Sequence, residues 1–179
     1  MPEDIFDIVN GGDEVVGSAP RSEVHSKGFL HRSAHILIFS SGCILLQKRS
    51  RSKDLYPGRY TTSCSGHVDS GEDYETASLR ELREETGIVA RPEDLAFLGK
   101  LPPSKETGNE FTSVYTMQIP RTFKFTFSPE EIEGFKWVKV EEFEKMLQVD
   151  ASAFTPSFVK VYAFYKDMQG GASGGQPGA

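Results

Sequence analysis

The sequence predicts one α/β domain, and three observations carry that expectation. Apolar runs of strand length recur between turn signals through most of the chain. A helical segment at 73–87 is set between those runs, and two more follow at 140–148 and 157–168. At 179 residues, with 13 Phe and one Trp, the chain is long enough for one real core and short for two.

The elements follow in order. IFDIVN and EVVGSA flank NGGD, a turn signal, so the chain opens on a β-hairpin. PRSEVHSKG has room for one or two helical turns. The alternating run SAHILIFS, a Ser-Gly turn and CILLQKRS predict a second hairpin. RSRSKDLYPG is a basic loop closing on Pro-Gly, and RYTTSCSG is expected to return as one strand. After the helix come three more strand candidates, LAFLGKL, FTSVYTMQI and GFKWVKV. VEEFEKMLQ and SFVKVYAFYKDM are helical. The expected domain is 1–168, and the Gly-rich residues 169–179 form a flexible tail with nothing to bury.

A formal net charge of −6 argues against a nucleic-acid polymer as partner. No apolar run reaches membrane-spanning length, and the acidic start MPEDIFDIVN is unlike a targeting segment. Cys43 and Cys64 lack metal-type spacing, which suits reduced thiols and a cytoplasmic location. Tyr56, Phe111, Tyr115 and Trp137 are core candidates, one of which could stack on a base. Glu130, Glu131 and Glu133 are expected to be surface charges.

The informative segment is GHVDSGEDYETASLRELREETGI, residues 66–88. Asp73 suits an N-cap, and Gly87 suits the left-handed residue that ends a helix. At 3.6 residues per turn Glu81, Glu84 and Glu85 share one face, with Leu79, Leu82 and Thr86 opposite. Like charges at that spacing cost about 0.2–0.5 kcal/mol per pair. Carboxylates near a helix C-terminus also oppose its dipole. Arg80 and Arg83 offset only part of this. A divalent cation bound by the clustered oxygens offsets the rest, so a metal seat explains the segment better than a solvated face does.

The same 23 residues resemble the signature box of the Nudix hydrolases at nine defining positions: Gly66, Glu72, Arg80, Glu81, Leu82, Glu84, Glu85, Gly87 and Ile88. The resemblance implies an α/β/α sandwich with a mixed β-sheet, as monomer or homodimer. It implies cleavage of a small-molecule diphosphate with Mg²⁺, or Mn²⁺ in its place. Carried over, Glu81, Glu84, Glu85 and the Gly66 carbonyl ligate metal, Glu72 supports the metal shell, and Arg80 holds a catalytic glutamate. The general base is Glu81 or, in a later loop, Glu110.

Outside the box, PRSEVHSKGFLHRSAHILIF, LLQKRSRSKDLYPGRYTTSCSGH and GNEFTSVY resemble the isopentenyl diphosphate isomerases of the same fold. EEIEGFKWV and ASAFTPSF extend the likeness. It implies that His25, His31 and His67 sit at or within one residue of metal-binding histidines. Glu110 would join them, and Gly108 stands where a second glutamate is expected. Arg21, Arg49 and Lys53 fall on diphosphate-holding positions, beside Lys48 and Arg51. His67 is also a substrate-binding candidate. Histidines are more often structural, and His35 is expected to be so.

The departures favour hydrolysis. Ser65 replaces the isomerase cysteine, Cys64 is one residue off and so faces the other way, and Glu81 replaces an arginine. The expectation is a hydrolase acting on a nucleoside diphosphate-X or related diphosphate. An isopentenyl diphosphate delta-isomerase and a catalytically inactive ligand-binding module are the alternatives.

Overall fold

The computed structural model describes residues 3–172. Its centre is a seven-stranded mixed sheet that splits. Strand β3 (His31–Ser40) runs parallel to β8 (Glu110–Gln118) along one edge, and β7 (Ala96–Leu101) pairs antiparallel beyond β8. On its other edge β3 meets β4 (Cys43–Arg49) only at Phe39↔Ile44 and Ser40↔Cys43. The two strands then diverge. Into the gap come β5 (Tyr60–Thr61), paired with β4, and β6 (Cys64–His67), paired with β3. Strand β9 (Ile132–Lys139) closes the far edge of β4.

The expected second hairpin therefore exists only at its turn. RYTTSCSG is not one strand but two, because its halves pair with opposite sides of the split. The β3 run is also not half-buried: residues 33–40 are all buried. Ala34, Ile36 and Ile38 pack with Leu82 of the acidic segment, while Leu37 and Phe39 pack with Phe143, Phe158 and Val161. Those last residues belong to α3 (Val140–Val149) and α4 (Pro156–Ala172), so helices cover both faces of an α/β sheet. Helix α4 continues through Gln169 to Ala172, where a tail was expected, and the rest of that tail lies outside the described residues. None of the described helices is long and apolar enough to cross a membrane.

The opening hairpin, β1 (Ile5–Val9) and β2 (Val15–Pro20), leads into the short helix α1 (Arg21–Lys27) and braces the acidic segment. Ser70 Oγ donates to Asp7 at 2.6 Å, and Phe6 bridges to Asp69. At the hairpin turn Asp13 accepts from Arg32 Nε at 2.6 Å, Tyr74 Oη at 2.9 Å and Lys100 Nζ. Burial works to raise the Asp13 carboxyl, but these three donors outweigh it and hold the group below the ordinary aspartate value. Its stabilisation is therefore complete above the unfolded-state pKa and fades as pH falls through the lower folded value. Asp13→Asn keeps a residue tolerant of the positive φ of 63°. It should cost about 1–3 kcal/mol at pH 7, a deficit that shrinks towards pH 3 in urea unfolding.

Candidate active site

The acidic segment folds as expected at its ends. Asp73 Oδ1 accepts from Thr76 N at 2.7 Å to open α2 (Tyr74–Glu81), and Gly87 closes the segment at φ 75°. Its middle differs, because the helix widens into a π turn over Leu82–Thr86. Thr86 Oγ1 bonds back to Leu82 O, and Leu82 and Thr86 are fully buried beneath. Such turns often occur at functional sites.

Arg80 organises the acids. Its Nε and Nη2 donate to Glu72 at 3.0 and 2.9 Å, and its Nη1 donates to Glu81 at 2.6 Å and Glu84 at 3.4 Å. Nη2 also donates to the His67 carbonyl at 3.0 Å, which ties α2 to β6. Glu72 is thus turned towards Arg80 and does not line the cavity. Gly66 must lack a side chain, because the Glu81 carboxyl lies where a Cβ would be.

Glu85 enters the split of the sheet. Its Oε2 accepts from Gln47 Nε2 on β4 at 3.0 Å and from the Ser65 amide on β6 at 3.1 Å. Burial pushes Glu85 above the usual carboxylate value, against the pull of those donors and Cys64. Glu81 is pushed up to about 8 by burial and then by the Glu85 charge, with Arg80 opposing. Glu84, about half exposed, completes the set. A partly buried set of carboxylates with one guanidinium among it has the donor chemistry of a hard-cation seat.

These groups open on a cavity of about 760 Å³, which also collects Arg21, Arg49, Lys53, His25, His67 and Glu110. The candidate ligand atoms of His25, His31 and His67 lie within 4.8 Å of one another. His31 Nδ1 sits 2.9 Å from the Phe29 carbonyl, an acceptor only, so Nδ1 donates there and Nε2 is turned towards the cluster. Nε2 of His31 and Nε2 of His67 stand 3.5 and 3.2 Å from Glu110 Oε1. Both nitrogens are buried without a hydrogen-bonded partner among the described residues. Burial lowers His25 to about 4, helped by His67 and His31. Burial would raise Glu110, but His31 and His67 hold it well below the ordinary range. Three imidazoles beside a carboxylate are a transition-metal donor set. His35 is the structural residue expected, with Nδ1 2.9 Å from Thr62 Oγ1.

Lys53, expected to hold the diphosphate, lines the cavity paired with Glu131, and Lys48 is paired with Glu133 at 2.8 Å. Glu131 is exposed, as expected of a surface charge, and also lines the cavity. Tyr56 is no core residue; it is 39% exposed at the cavity wall. Arg49 does face the cavity, with its Nε donating to the Leu55 carbonyl at 3.1 Å. Sequence reasoning passed over Gln47, Asp69 and Lys105, which also line it. Only Gln47 left a signal, as an amide ending the apolar run CILL.

The family model described as "NUDIX domain" matches residues 29–158. Nudix hydrolase 3 of Arabidopsis thaliana is 36% identical over 169 residues, covering 87% of this chain and 22% of its own length. This chain thus spans under a quarter of that relative. Isopentenyl-diphosphate Delta-isomerase 2 of Photorhabdus laumondii is 28% identical over 172 residues, covering 93% of this chain and 96% of its own. A crystal structure from Deinococcus radiodurans superposes with a TM-score of 0.76 at 28% identity, covering 90% and 99% of the two chains.

Proposed function

The chain belongs to the NUDIX domain family, and from that membership we propose a Mg²⁺- or Mn²⁺-dependent hydrolase that splits the phosphoanhydride of a small diphosphate. Residues 1–168 are taken as its catalytic unit. One observation carries the reading: Glu81, Glu84 and Glu85 line one cavity, where the Glu81 carboxyl fills the place a Cβ would take on Gly66. That cradle fits a hard divalent cation, and the buried, unpartnered Nε2 atoms of His31 and His67 fit a second, softer one with His25 and Glu110. Bound there, such ions neutralise diphosphate oxygens and acidify water.

The chain's own residues supply the rest. Arg80 keeps Glu81 and Glu84 aimed at the seat. Arg49 and Arg21 face the cavity as cations for the diphosphate, and Lys53 joins them once it leaves Glu131. Water attacks one phosphorus, the bridging P–O bond breaks, and its oxygen leaves with the other phosphate. Glu81, held in place by Arg80, is our candidate general base, with Glu110 as its rival.

The histidine cluster, with the isomerase relative, favours a second reading as an isopentenyl diphosphate isomerase. Cys64 argues against it. It is fully buried among Ala34, Ile36 and Leu82, and burial holds its thiol well above the ordinary value, with Glu85 and Glu81 adding to the rise. A panel of nucleoside diphosphates, nucleotide sugars, dinucleotides and isopentenyl diphosphate, run with Mg²⁺ or Mn²⁺ in heavy water, tests both. We expect phosphorylated fragments identified by mass. Deuterated dimethylallyl diphosphate would instead establish the isomerase, and binding without turnover across the panel an inactive module.

A further inference from the structure

We propose that Gln47 is a positioning residue for the carboxylate seat: it pins one oxygen of Glu85 so that the other is presented to the cation. The inference rests on the cation-seat reading above. Gln47 lies on β4 opposite Thr61 and Phe135 and is 2% exposed, so its amide is committed to the interior. Its Nε2 reaches Glu85 across the split, and the Ser65 amide reaches the same Oε2 from β6. The Ser65 amide is free to do so because β6 pairs with β3 alone, leaving its other edge towards the gap.

Two donors from opposite lips of the gap converge on a single oxygen and fix the plane of the carboxylate. Oε1 is then the oxygen left for coordination. The amide suits this task because it donates without charge. A lysine or arginine at position 47 would neutralise Glu85 and compete with the cation, as Arg80 would if it reached this far. Groups that orient metal-ligating carboxylates in this way typically contribute 10- to 100-fold in metal affinity.

The test compares Mn²⁺ binding, by electron paramagnetic resonance of free Mn²⁺, in wild type, Gln47→Met and Glu85→Gln. Thermal unfolding of each is followed without metal. Methionine matches the volume and flexibility of glutamine but has no donor. We expect Gln47→Met to weaken binding roughly tenfold or more, with metal-free unfolding within about 2 °C of wild type. Raising Mn²⁺ should restore most of its turnover, which damage to the fold would not allow. Wild-type affinity in Gln47→Met, with weakened binding in Glu85→Gln, would overturn the positioning role alone. Wild-type affinity in both would overturn the cation seat itself. Should Gln47→Met fail to fold, Gln47→Asn repeats the test, because it keeps the amide but withdraws it by one methylene.

Discussion

Glu85→Gln is expected to lower Mg²⁺-supported turnover about a thousandfold while leaving the fold intact. The substituted amide oxygen still accepts from Gln47 and Ser65, so the two lips of the split remain tied. Only the negative charge is lost. Cation stabilisation of a developing phosphate charge is worth several kcal/mol, and each 1.4 kcal/mol or so is tenfold in rate. Circular dichroism should overlay the wild type, and thermal unfolding without metal should be unchanged or higher, because a charge that burial disfavours has been removed. Near-normal turnover in a folded variant would count decisively against a catalytic role for this carboxylate.

Arg80→Ala should damage both stability and turnover. The guanidinium donates to Glu72, Glu81, Glu84 and the His67 carbonyl, and sits 3.6 Å from Asp69. Burial works against its charge, yet those carboxylates outweigh burial and keep it protonated. Its loss leaves four acids facing one another with their shared cation gone. A cost of about 2–4 kcal/mol follows from breaking a partly buried ionic network. That corresponds to roughly 5–12 °C in unfolding temperature for a chain of this size. Arg80→Lys separates charge from geometry. One ammonium cannot reach Glu72, Glu81 and the His67 carbonyl together, so stability should partly recover while turnover stays low. Wild-type turnover in the lysine variant would show that charge alone suffices.

How much could be read from the chain varied with distance along it. The N-cap at Asp73, the left-handed stop at Gly87 and the shared side of Glu81, Glu84 and Glu85 depend on neighbours within a few turns. Local spacing therefore carried them, and the strand candidates too. The same reasoning missed the π turn over Leu82–Thr86, because a wheel drawn at 3.6 residues per turn has no place for a local widening.

What the chain by itself determined is the α/β class, the family signature and the residue types that gather acid in one place. Tertiary structure alone decided where β3 and β4 part, and hence that Glu85 would bond to Gln47, 38 positions earlier. It also decided that Lys53 would meet Glu131, and that His25, His31, His67 and Glu110 would meet from four separate elements. The physical reason is register. A side chain's own spacing sets the face of the helix or strand it occupies, but which partner stands opposite depends on pairing between strands remote in sequence.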